Sequence, residues 1–391
     1  MKKNRLVRHA AALAFGIASG HAFAEINIGV ILSLTGPAAS LGIPAKSTVA
    51  LWPKEIAGQK LNVTVLDDAS DSTAATVAAR RLVQENRVDV LVGPSVTPTS
   101  LAALQVAGES ATPMISLGGS GALIHPQEGP RRWVFKMPPS EEIQLAVIFE
   151  QMKRNHEKTL GFVAINNAYA QTFLDVAQKM APQNGVKIVD VERYNATDTS
   201  FVSQALKLIA AKPDAMFIAA AGTPAATPHI EIRQRGYGKT IYQTQAVANN
   251  DFLRVGGKSL EGTYLPVSPL LVAEQLPQDN PVKPVALDYL KRYEGQHGPD
   301  SRSLFGGLAW DAWLILDRAL PIALKSAQPG TAAFRQALRD AIENGQELVL
   351  THGVYKMSPT DHNGADKRSQ VMVKIEGGKW RYVPETTSPS K

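Results

Sequence analysis

The chain has no cysteine. That excludes disulfide staples, thiol nucleophiles, cysteine-ligated zinc and iron–sulfur clusters. At 391 residues it can bury a core, or two, without staples. The histidines at positions 125, 156, 229, 297, 352 and 362 are scattered, with no H-E-x-x-H and no ligand spacing. Neither a metal nor any other cofactor is therefore expected. No apolar run is long enough to cross a membrane as a stable helix. A basic excess is missing too, despite a formal charge of +6. Four of the bases, Lys2, Lys3, Arg5 and Arg8, open the chain ahead of the short apolar stretch AALAFGIASG and the small-residue triplet Ala22-Phe23-Ala24. That order is an export leader with cleavage expected after Ala24, leaving a soluble mature chain. Without the leader nothing suggests nucleic-acid binding.

Two catalytic patterns fail by one residue each. SLGGSGAL has Ala122 where a nucleophile elbow needs its last glycine. GYGKT (236–240) has Arg233 where a phosphate loop needs its leading glycine. No enzymatic activity is expected, and a secreted hydrolase is a remote alternative.

What the sequence does have is alternation. INIGVILSL (26–34), LNVTVLDDA (61–69), VDVLVG (88–93) and TPMISL (112–117) read as buried strands, with a helix over 72–86. The series restarts with a helix over 140–154 capped by Ser140, a strand at 159–165, a helix over 169–180, and strands at 186–194 and 214–221 flanking a helix over 199–211. Helices follow at 284–293, 303–325 and 331–344, then short strands at 353–357 and a hairpin over 369–383 turning at Gly377-Gly378. Continuous apolar strands separated by helices predict an α/β protein with parallel sheets covered on both faces. Proline-rich joints at 137–139 and 266–269 predict two lobes with a hinged cleft. The expected division is a leader (1–24), a first lobe (25–138 with 269–350) and a second (139–268 with 351–391).

Ligands in such sheets sit beyond the carboxyl ends of the strands. Four loops fall there: SLTGPAASLG, GPSVTPTS, SLGGSG and INNAYAQ. The second carries Ser95, Thr97, Thr99 and Ser100 where a strand hands over to a helix. Those hydroxyls are either helix caps or, with free N–H groups and the positive helix end, an anion site.

The order SLTGPAASLG, VLDDASD, VLVGPSVTPTSLA, TPMISLGGSG, NNAYAQ resembles the leucine/isoleucine/valine-type periplasmic binding proteins of ABC importers. The resemblance implies a type I periplasmic-binding fold: two doubly wound parallel-sheet lobes joined by three hinge crossovers, closing on a ligand. It implies a carboxylate held by Thr97, the backbone of Gly118, and Ser120. It places Leu41 and Phe305 on the apolar body of the ligand. Tyr169 and the loop at Ala221, Gly222 and Thr223 would close from the second lobe. It implies an inner-membrane permease and its ATPase as partners, and a monomer. By ordinary rates Leu41 and Phe305 are core residues, and Tyr169 is as readily a packing aromatic. Asp67 and Asp68 read as local caps.

One departure bears on the ligand. Relatives place an acid on the second lobe to hold an α-ammonium; here that position is Gln245, a neutral amide. Asn166 and Asn167 replace the acid usual in the other loop. An enclosed ammonium needs a fixed anion. The favoured ligand is therefore a small aromatic or branched carboxylate without an α-amino group. The alternatives are a branched-chain or other amino acid, or a sensory rather than a transport role.

Overall fold

The computed structural model describes residues 25–384; the leader and its cleavage point after Ala24 lie outside the described residues, as do residues 385–391. From the start, β1 (Ile26–Leu32), α1 (Ala39–Val49), β2 (Glu55–Ile56), β3 (Gln59–Asp67), α2 (Ser72–Gln84), β4 (Val90–Val92), α3 (Thr97–Glu109), β5 (Met114–Ser116) and β6 (Val134–Lys136) build the first sheet and its helices. The strand order is β2-β3-β1-β4-β5-β6, parallel except for the β2–β3 edge. The central strands are apolar on both faces because helices cover both; β1 is buried along nearly its whole length.

The chain then crosses to a second sheet. This part comprises α4 (Glu141–Arg154), β7 (Thr159–Ile165), α5 (Ala168–Gln183), β8 (Lys187–Tyr194), α6 (Val202–Ala210), β9 (Ala215–Ala219), α7 (Ala226–Gln234), β10 (Thr240–Gln243), α8 (Asn250–Gly256) and β11 (Tyr264–Val267). A second crossing leads to α9 (Val282–His297), α10 (Leu304–Ala323) and α11 (Ala332–Glu343), with α10 packed on α1 of the first lobe. The chain returns through β12 (Leu348–Val349) and β13 (Val354–Tyr355) to β14 (Val371–Glu376) and β15 (Lys379–Tyr382). The last two strands extend the second sheet, β15-β14-β11-β10-β9-β7-β8, antiparallel at that edge. This is the expected α/β architecture of two parallel-dominated sheets joined by three crossings.

Local signals account for several ends. Ser140 accepts from the Ile143 N–H at 3.4 Å, with Glu141 and Glu142 in the first turn and Lys153 and Arg154 in the last. Gly377 and Gly378 both take positive φ, 60° and 68°, as a two-residue hairpin turn requires. Strands β6, β10 and β11 escape sequence reading. β6 is three residues long and ends on Lys136, which is fully buried. Its Nζ donates to the carbonyls of Pro138 (2.6 Å), Gly119 (3.1 Å) and Pro139 (3.2 Å). Burial pushes this ammonium's pKa down, opposed by Glu141. A lysine that braces the first crossing thus reads, in sequence, as the end of a surface loop.

Candidate functional site

A cavity of about 240 Å³ lies between the lobes, at the lower edge of small-ligand sites, whose volumes run from about 300 Å³. The first lobe supplies Leu41 from α1, Ser95 and Thr97 from the β4–α3 turn, Gly119 after β5, and Leu304, Phe305 and Leu308 from α10. The second supplies Asn166, Asn167 and Tyr169 at the start of α5, Ala221 and Pro224 after β9, and Gln245 after β10. His352, on the third crossing, completes the wall. Among the described residues, no Asp, Glu, Lys or Arg lines it.

The four hydroxyls of the β4–α3 turn divide their work. Thr99 Oγ1 donates to the Val96 carbonyl at 3.1 Å, and Ser100 Oγ to that of Pro94 at 3.2 Å, so both serve the turn itself. Ser95 and Thr97 line the cavity. Ser95 Oγ accepts from the Ser33 N–H at 3.1 Å, and Thr97 Oγ1 accepts from the Ser120 N–H at 3.2 Å. Each oxygen is fixed by a backbone donor, so each hydroxyl proton is left to give. The N-cap of α3 is Val96, with no side-chain cap. The positive end of a 13-residue helix therefore opens beside two donor hydroxyls, and this is the chemistry of an anion site.

Of the other expected residues, Leu41, Tyr169, Gln245 and Phe305 also line the cavity. Gly118, Ser120, Gly222 and Thr223 do not, for identifiable reasons. The Gly118 N–H is bound to Ser116 Oγ at 3.1 Å, and its neighbour Gly119 takes the place at the wall. Ser120 Oγ lies 2.7 Å from Thr172 Oγ1 on α5, and also accepts from the Ala122 N–H. Since Thr172 donates to the Ala168 carbonyl, the Ser120 proton goes to Thr172, across the lobe boundary. Gly222 packs on α1, where an added Cβ would stand 3.1 Å from Ser40 Oγ. Thr223 opens the turn behind it, so the cavity meets the flanking Ala221 and Pro224 instead.

The second-lobe side chains are held by their own lobe. Asn167 Oδ1 caps α5 through the Ala170 N–H at 3.1 Å, and Asn166 Nδ2 donates to Asn195 Oδ1 at 2.9 Å. Burial pushes the Tyr169 phenol far above the usual range, opposed by the nearby Thr244, so it stays neutral. Gln245 Oε1 accepts from Gln370 Nε2 at 2.9 Å and Ser268 Oγ at 3.2 Å. What Gln245 can still offer is its N–H donors. Asp67, beneath the first loop, accepts from the Leu34 N–H (2.8 Å) and Thr35 Oγ1 (2.7 Å). It shapes that loop, as its reading as a local cap anticipates.

His352 and Ser95 are among the polar lining residues that sequence reading left out of the candidate site. Ser95 carried the same signal as Thr97. His352 is 1% exposed, and its Nδ1 lies 2.8 Å from Oδ2 of the fully buried Asp311. That partner is on α10, and no local pattern ties the two together.

A neutral, donor-bearing cleft between two α/β lobes defines a small-solute binding protein. The comparisons agree: the family model "Periplasmic binding protein" matches residues 25–379, and the chain belongs to that family. It is 40% identical to an extracellular ligand-binding receptor from Rhodopseudomonas palustris HaA2, covering 92% of this chain and 100% of that one, at a TM-score of 0.89. The fold also matches an ABC-transporter solute binding protein from R. palustris in complex with benzoate, 19% identical over 92% of this chain and 96% of that one, TM-score 0.77. A branched-chain amino acid transporter substrate binding protein from Streptococcus pneumoniae, in complex with isoleucine, is 19% identical over 91% and 98%, TM-score 0.76. At that identity the last two speak for the fold alone. Among the described residues no helix is long and apolar enough to cross a membrane, and no acid–histidine cluster could hold a metal.

Proposed function

We propose that this chain captures a small aromatic or branched carboxylate lacking an α-amino group and delivers it to an inner-membrane ABC permease. The observation that carries this is the lining: hydroxyl donors at an uncapped helix end and an amide donor facing them, with no acidic side chain on the wall among the described residues. A carboxylate finds donors there; an ammonium would be desolvated without an anion. Gln245, whose oxygen is already engaged, faces such an ammonium with N–H groups and so opposes it. Thr97, Ser95 and the α3 N-terminus hold the carboxylate, while Leu41, Phe305 and Leu308 enclose the apolar body. Tyr169, Ala221 and Pro224 cover it from the second lobe. A hydrogen bond to a charged group contributes about 1.5–3 kcal/mol. Two or three, with apolar burial, reach the roughly 8 kcal/mol of micromolar binding. Family membership supports export by the leader, action as a monomer in the periplasm, and handover to a permease with its ATPase.

The test is a thermal-shift screen followed by calorimetry on the mature protein. Benzoate-type and branched aliphatic acids are expected to raise the Tm and bind, while leucine and isoleucine do not. Tight leucine binding with no response to any amine-free acid overturns the assignment.

A further inference from the structure

His352 lines the cavity, and its Nε2 is buried with no hydrogen-bond partner. The other nitrogen is fully engaged. Nδ1 lies 2.8 Å from Asp311 Oδ2 and 3.1 Å from Thr351 Oγ1. Asp311 also accepts from the backbone N–H groups of Thr351 (2.7 Å) and His352 (3.0 Å). A carboxyl group receiving these donors fixes the adjacent ring nitrogen as the one bearing hydrogen. Nε2 is then a bare acceptor, buried on a residue of the cavity lining. The ring is clamped from behind as well: an added Cβ at Gly307 of α10 would stand 2.7 Å from its Cε1. A buried polar atom left unpaired is unfavourable, and in a binding site it is tolerated when a ligand completes it.

We infer that His352 is a specificity residue whose Nε2 accepts a hydrogen bond from a hydroxyl carried by the ligand. This rests on the carboxylate reading and deepens it. The donors for the carboxylate belong to the α3 end of the cavity, whereas His352 packs on α10, among the elements that enclose the ligand body. The ligand class is a hydroxylated small carboxylate, its hydroxyl on the body rather than at the head. Asp311 is the positioning residue that sets the tautomer. A deoxy analogue leaves Nε2 unpaired and is discriminated against.

The experiment is calorimetry with matched pairs: benzoate against its 3- and 4-hydroxy derivatives, and 3-methylbutanoate against its hydroxylated form. With the wild-type protein, one hydroxylated member is expected to bind about 10- to 100-fold more tightly than its parent. In His352→Leu that ratio collapses to near one. Nitrogen-15 spectra of the wild-type ring give a readout that needs no variant. Nδ1 is expected to carry the hydrogen, and the Nε2 signal to move on adding the hydroxylated acid but not its parent. If acids bind without preference, if the preference survives His352→Leu, or if Nε2 carries the hydrogen in the free protein, the His352 role is overturned while the carboxylate reading stands. If no acid of either kind binds, the carboxylate reading fails and takes this one with it.

Discussion

The two walls of the cleft are built on opposite plans. On the first lobe, Ser95 and Thr97 receive backbone hydrogen bonds on their oxygens and keep their protons for the cavity. On the second, Asn166 Nδ2 and Asn167 Oδ1 are committed to Asn195 and the start of α5, while Gln245 has its oxygen engaged and keeps its N–H donors. In the proposed reading the first wall holds the charge on its hydroxyls and helix end, and the second mainly supplies shape. Such an arrangement lets the head group bind before closure and lets closure add enclosure. The sharpest way to break this comparison is the double substitution Ser95→Ala/Thr97→Val. Removing two donors to a carboxylate is expected to weaken binding at least about 100-fold. Calorimetry reads the loss, and melting within a few degrees of wild type shows that the fold survives. A loss under tenfold would mean that the first wall does not hold the head group.

The second lobe also carries a buried histidine that is expected to make it acid-sensitive. His229 is fully buried between α7 and the β10–β11 side. Its Nε2 lies 2.9 Å from the Ser259 carbonyl and its Nδ1 3.2 Å from Gln243 Nε2. Burial first, then the nearby Arg233 charge, lowers its pKa from 6.5 to about 3. Between those values the unfolded chain binds a proton that the folded chain refuses, so stability falls as pH drops through this window. Above pH 6.5 the contribution is intact. At pH 5 its loss is about 2 kcal/mol, from 1.36 kcal/mol per unit. Urea unfolding at pH 7 and pH 5 measures it, and His229→Gln is expected to remove that share of the difference. An unchanged pH dependence in the variant would place the acid sensitivity elsewhere.

Sequence reading reached the strands whose apolar runs are continuous. It placed β7 at its observed bounds and missed β6, where a buried lysine interrupts the pattern. Of its site residues, Thr97, Leu41, Tyr169, Gln245 and Phe305, drawn from separate elements, line the cavity. It slipped where the decision turns on which way a strand end faces. Gly118 and Gly119 differ by one position, as do Ala221 and Gly222, and one residue reverses the side presented. Ser120 was beyond reach because its partner Thr172 comes from the other lobe. Gly119 offers the test at the seam itself. A Cβ there would stand 2.7 Å from Tyr169 Cε2, and that ring is pinned edge-on to Phe173 at 5.0 Å. Gly119→Ala should therefore hold the lobes apart and lower affinity about tenfold by disfavouring the closed form. Small-angle scattering of the ligand-saturated variant should show a less compact particle than wild type. Full closure with unchanged affinity would mean that the seam has slack to absorb a methyl group.

The smallest effect is expected on the second wall, and that makes it the most exacting comparison. Tyr169→Phe keeps the ring that covers the cavity and removes only the hydroxyl. That hydroxyl has Thr244 near it, whose own Oγ1 donates to the Ala220 carbonyl at 2.7 Å within the same lobe. Its loss costs about 1 kcal/mol of stability at most, since Thr244 keeps its other bonds. Ligand affinity should move by no more than about threefold, because shape and apolar area are unchanged. If Tyr169→Phe instead weakens binding as much as Thr97→Val, the phenol donates to the ligand in the bound state. The second wall would then share in holding the head group, and the division between a holding wall and a covering wall would have to be abandoned.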